Sequence, residues 1–98
     1  MAELTWSDRS ENDLEAIYHN VSHDSVRAAA HLIEQIAGAA GRLSEFPLSG
    51  RMVPEFNRAD IREIIVGNFR VVHVVSGDSV GVALVHHGAR RLRKSDLK

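Results

Sequence analysis

Apolar residues recur along this chain with two periods, and the period changes at defined places. Glu3-Leu4-Thr5-Trp6 alternates polar and apolar positions, which predicts a short strand. Leu14, Ile17, Tyr18 and Val21 follow at i, i+3, i+4 and i+7, one stripe of a helix running from about Ser7 to Ser22. Ser7 or Asp8 can accept from the free N–H groups at its start, and Glu11 lies where the helix dipole favours negative charge. Val26, Ala29, Ala30, Ile33, Ile36, Ala37, Ala40 and Leu43 carry the period through a second helix, capped by Asp24 or Ser25. Pro47 stops it near Glu45. Gly38 and Gly41 each cost about 1 kcal/mol against alanine, so a closely packed neighbour is expected there. The short link between the helices makes them an antiparallel hairpin.

From Phe46 to Asp60 the period is lost, and Pro47, Ser49, Gly50, Pro54 and Asn57 mark a loop. Phe46 and Leu48 are expected to dock on the core. Three β-rich runs follow: Ile61–Val66, Phe69–Val75, and Val80 to His86 or His87. Gly67-Asn68 and Ser76-Gly77-Asp78-Ser79 separate them as tight turns, giving an antiparallel meander. The predicted class is α+β: an N-terminal strand, an antiparallel helical hairpin, then a three-stranded antiparallel meander. One domain over residues 1–92 is expected, with a basic tail at 93–98. The stretch from Arg90 to Lys98 holds five bases and one acid and is expected to be frayed or partner-dependent.

Pairing Val66 with Phe69 and Val75 with Val80 sorts the strands into two faces. One holds Arg62, Ile64, Val66, Phe69, Val71, His73, Val75, Val80, Val82, Leu84 and His86. The other holds Ile61, Glu63, Ile65, Arg70, Val72, Val74, Gly81, Ala83, Val85 and His87. Both are largely apolar, yet two helices can cover only one. The second face therefore predicts a protein partner.

Composition narrows the class. At 98 residues and 44% hydrophobic, the chain can bury one core. There is no cysteine, hence no disulfide, thiolate metal site or thiol nucleophile. Neither a membrane span nor a secretory leader is legible, so a cytoplasmic protein is expected. The net charge of −1 conceals a division. Residues 1–49 carry eight acids and three bases, and residues 50–98 carry five acids and nine bases. An anionic partner for the second half is the reading this invites.

Metal and cofactor chemistry find little support. His19 and His23 stand at i, i+4, but only Glu15 is near as a third ligand. His86 and His87 are adjacent on a strand and point to opposite faces. His73 reads as a packed histidine. No phosphate-loop, dinucleotide or zinc-finger pattern occurs. No metal and no cofactor is expected.

Several short motifs, in this order and spacing, resemble the ParE/RelE superfamily of type II toxin–antitoxin toxins, and the ParE branch most. They are Asp13-Leu14-Glu15-Ala16-Ile17-Tyr18, Phe46-Pro47-Leu48-Ser49-Gly50-Arg51, Ile61-Arg62-Glu63, Gly67-Asn68-Phe69-Arg70-Val71-Val72 and His87-Gly88-Ala89-Arg90. The resemblance implies a helical hairpin on an antiparallel sheet and a cognate ParD-like antitoxin in a hetero-oligomer. ParE toxins are associated with inhibition of DNA gyrase, whereas RelE-like relatives cleave mRNA on the ribosome. The second activity would need a base, an acid and cations around a phosphate. Glu63, Arg70, His87 and Arg90 are the candidates, the first three sharing a face by parity. Against it, no Tyr or Lys stands on the sheet, and the same face is rich in aliphatics. Arg70 is also placed to pair with Glu63. A non-enzymatic ParE-like inhibitor is favoured, with antitoxin or target contacts expected at Arg62, Glu63, Ile65, Arg70, Val72, Val74, Val85, His87 and Arg90.

Overall fold

The computed structural model describes residues 1–97. β1 (Glu3–Trp6) leads into α1 (Asp8–Ser22) and α2 (Val26–Gly41). A 3₁₀ turn, Arg42–Ser44, follows, then β2 (Arg51–Met52), β3 (Ile61–Val66), β4 (Phe69–Ser76) and β5 (Ser79–His87), and a second 3₁₀ turn over Lys94–Leu97. The caps are serines. Ser7 accepts from the Ser10 N–H, and Ser25 from the Ala28 N–H, each satisfying a donor the helix leaves free.

The five strands form one sheet in the order β1-β5-β4-β3-β2. β1 lies parallel to β5, and the other neighbours are antiparallel. The turns begin at Gly67 and Gly77, whose φ values of 57° and 55° suit glycine. Val66 pairs with Phe69 and Val75 with Val80, as the turn positions require. β2 was not legible in the loop. It follows Gly50, which at φ 84° passes so close to the Glu63 carbonyl that a Cβ there would clash with its oxygen.

Between those two fixed pairs the expected register fails. Val72 pairs with Leu84 but His73 pairs with Val82, so Ala83 is an extra residue in β5. The bulge reverses side-chain parity for the rest of the strand. Leu84 and His86 join the face of Arg70 and Val72, while Val85 and His87 join that of Phe69 and Val71. The start of α1 completes the bulge. The Ser7 hydroxyl donates to the Ala83 carbonyl at 2.7 Å, and the Val85 N–H donates to the Asp13 carboxylate at 3.0 Å.

The helical hairpin covers one face. Ile17, Ile36 and Ala40 pack on Val71, Val82 and Val85. Leu32 and Ala39 of α2 and Leu43 of the 3₁₀ turn point inward, leaving Val26, Ala30 and Ala37 exposed. Tyr18 of α1 is also exposed. A Cβ added at Gly38 or Gly41 would meet nothing beyond the helix's own backbone within 4 Å, so close packing does not explain them. His73 is fully buried on this side, with no hydrogen-bond partner at either ring nitrogen among the described residues.

The second face is not left open for a partner. Val53 and Phe56 of the loop, with Leu92 and Leu97 from beyond β5, pack on Ile61, Val72 and Leu84. The C-terminal stretch is thus docked rather than frayed. The Arg93 N–H donates to Asp96, whose carboxylate lies 3.8 Å from Arg9 of α1. Lys98 lies outside the described residues. Phe46 and Leu48, expected in the core, are 61% and 59% exposed, because the chain reverses at Ser49 by bonding back to the Phe46 carbonyl.

Candidate functional site

At the β2 end of the second face, four charged side chains form a chain of ion pairs. Glu63 projects inward from β3 and is fully buried. Arg70, on β4 opposite Ile65 and so diagonally across from Glu63, donates its Nε–H to Glu63 Oε1. Arg51 on β2 donates its Nε–H to Glu63 Oε2 at 2.7 Å. The two terminal nitrogens of Arg70 grip Glu55 from the loop in a bidentate pair, both at 2.7 Å. Glu55 also accepts the Leu92 N–H at 3.0 Å. One loop carboxylate therefore ties the C-terminal stretch to the sheet.

This geometry sets the protonation of its members. The hydrogen bonds from Arg70 hold the Glu55 carboxyl at about 2, well below the ordinary carboxylate range, with the Leu92 N–H assisting. Glu55 in turn keeps Arg70 charged, raising its pKa further despite burial. His86 stands beside Arg70 across the β4–β5 pair. Burial lowers its pKa, and its Nε2 lies 3.0 Å from the Arg90 carbonyl.

Above the network are two adjoining clefts. Arg51, Pro54, Glu55, Arg70 and Arg91 line one. Arg51, Ile65, Asn68, Arg70, His87 and Ala89 line the other, with Gly67 and Gly88. His87 stands edge-on to Phe69, ring centroids 5.6 Å apart, and its Nδ1 accepts the Ala89 N–H. A separate apolar groove runs along α1, bordered by Leu14, Tyr18, His19 and Ile33.

A family model for the ParE toxin of the type II toxin–antitoxin system parDE matches residues 4–92. The chain belongs to the ParE toxin family. Toxin RelE2 of Caulobacter vibrioides is 30% identical over 91 residues, which span 92% of this chain and 99% of that protein. The fold is shared with a chain of the chromosomal ParDE toxin–antitoxin system from P. aeruginosa, at a TM-score of 0.73 and 21% identity. That match covers 89% of this chain and 96% of the other.

In this ParE-family chain the nine residues expected at the site do not form one surface. Glu63 and Val72 are fully buried, Arg70 has 7% of its side chain exposed, and Val74 is half-buried. Val85 and His87 are on the opposite face from Glu63 and Arg70, because of the bulge. Val85 is buried beneath the helices, and Arg62 pairs with His73, its Nε–H bonding the Ala59 carbonyl. Ile65, His87 and Arg90 are exposed. His87 still reaches the cleft beside Arg70, because it ends its strand next to the turn at Gly88. Glu55 was not identified from sequence, Arg51 entered as the last residue of a family motif, and Arg91 entered only among the bases of the second half. The available signal was Arg70 itself: a buried guanidinium has five N–H groups, more than Glu63 alone can satisfy.

Among the described residues no three His, Asp or Glu side chains gather as a metal site. No helix there is long and apolar enough to cross a membrane. The arrangement offers cations at a rim and a saturated, internally neutralised ion network beneath.

Proposed function

We propose that this chain is the toxin of its pair and acts by binding a protein target, with DNA gyrase the target the resemblance implies. A ParD-like antitoxin would hold it inactive in a cytoplasmic hetero-oligomer. The observation that carries this reading is the state of Arg70. All three of its nitrogens are bonded to Glu63 and Glu55, so it is not a free clamp for a scissile phosphate. Glu63 is fully buried between two guanidiniums, which is no setting for a general base. His87 lies across the sheet from Glu63 and is bonded to its own turn.

The second reading, a RelE-like nuclease, draws support from the name of the Caulobacter relative and from exposed His87 and Arg90. A module that binds antitoxin without toxicity is the third. One pair of assays separates them. Induction is expected to arrest growth, and purified chain to inhibit plasmid supercoiling by gyrase while leaving translated mRNA intact. Cleavage of mRNA at translating ribosomes with normal supercoiling would replace the first reading by the second. Uninterrupted growth would leave the third.

A further inference from the structure

We infer that the cleft between Arg51 and Arg91 is a carboxylate-binding site that receives an acidic segment of the antitoxin. The inference rests on the toxin–antitoxin reading and names the chemistry of the partner. Three guanidiniums, of Arg51, Arg70 and Arg91, line this cleft with a single carboxylate, Glu55. Glu55 is already committed to Arg70 through both oxygens. Arg51 turns only its Nε toward Glu63, and 61% of its side chain is exposed, so its two terminal nitrogens remain for an incoming acceptor. Arg91 is exposed and makes no salt bridge among the described residues. Arg90 and Arg93, close to Arg91 in sequence, are exposed as well.

The Glu55–Arg70 pair shows inside the same cleft how a planar carboxylate seats on a planar guanidinium. A peptide suits the rim better than a nucleic acid does. The adjoining cleft offers Ile65, 54% exposed, and the small residues Gly67, Gly88 and Ala89. The cleft of Arg51 and Arg91 is lined by no Phe, Tyr, Trp or His, and the ring in the adjoining cleft, His87, is held edge-on to Phe69, so there is no series of aromatic rings on which successive bases could stack. An acidic side chain would lie between the two arginines, with an apolar neighbour against Ile65.

The test uses a fluorescein-labelled eight-residue peptide alternating valine and glutamate, titrated with the full chain at low salt. Its glutamine counterpart and an eight-nucleotide single-stranded RNA serve as unlabelled competitors. The glutamate peptide is expected to bind, and to bind about tenfold more weakly to Arg91→Ala, the loss of one charge-assisted contact. Arg51→Ala with Arg91→Ala should abolish binding. Arg51 also neutralises Glu63, so Arg51→Lys and a thermal melt control for folding. Absence of binding to the wild type, an unaltered affinity in Arg91→Ala, or equal competition by the glutamine peptide overturns the site. So does RNA that displaces the probe better than unlabelled glutamate peptide, since the cleft would then be a phosphate site. Failure of the underlying reading is seen elsewhere: the wild-type chain would not arrest growth, whatever the peptide does.

Discussion

His73 and His86 are both buried, and burial pushes both pKa values below the ordinary 6.5. Their sign is the same. Above pH 6.5 neither the folded nor the unfolded chain holds these protons. Below it the unfolded chain takes them up and the folded chain resists, so stability falls with pH. A melting temperature lower at pH 5.5 than at pH 7.5 is expected, and His73→Leu should flatten part of that difference. Glu55 acts lower on the scale. Its carboxyl is held at about 2 against an ordinary 4.5, so the stability it contributes is complete above 4.5 and is lost as pH falls toward 2. Glu55→Gln should remove that acid-range component, read by fluorescence of Trp6 along a pH titration. The pairing of Arg70 with Glu63 was legible, because Gly67-Asn68 fixes the register that brings the two strands together. The larger share of Arg70's bonding was not. Glu55 lies in a loop without period, where sequence spacing says nothing about reach.

At the scale of elements, the span of the first helix, the start of the second and the glycine turns were readable, since each rests on a few neighbouring residues. Each cap was narrowed to a Ser or an Asp, and the second helix gives way to a 3₁₀ turn at Arg42, ahead of the expected stop near Glu45. The bulge was not readable. Val82-Ala83-Leu84-Val85 has no glycine or proline to mark an extra residue, and one extra residue reverses every later side chain. Its cause lies 72 positions away, where Asp13 accepts the Val85 N–H. Asp13→Ala is therefore expected to destabilise the domain by about 1–3 kcal/mol, the cost of leaving a buried donor unpaired. Urea denaturation measures this. Asp13→Asn keeps an acceptor and should lose less. A change of under half a kcal/mol in Asp13→Ala would mean that water replaces the carboxylate and that the bulge does not depend on α1.

At the scale of the molecule, both sheet faces were legible as apolar, but the face expected to stand open is covered by the chain itself. The chain supplies its own second cover from isolated apolar residues, Val53, Phe56, Leu92 and Leu97. Phe56, Leu92 and Leu97 are set among polar neighbours, and the four together show no period. Burial of Leu92 alone is worth about 2 kcal/mol. A chain ending at Arg90 should melt lower and bind a hydrophobic dye such as ANS, with Ile61, Val72 and Leu84 uncovered. Unchanged melting and no dye uptake would show that the C-terminal stretch is dispensable for the core.

The parallel pairing of β1 with β5 also sets a timetable. Glu3 must wait for Ser79, and the second layer waits for Leu92. Contacts of such long sequence separation form slowly, on the scale of milliseconds to seconds. During synthesis at roughly 5–20 residues per second, the helical segment is made several seconds before the strands on which it packs. A newly made chain therefore passes through an interval in which its helical segment is complete and its cationic rim is not. A ligand that needs the rim must therefore wait until Arg91 has been made and Leu92 has docked on Glu55.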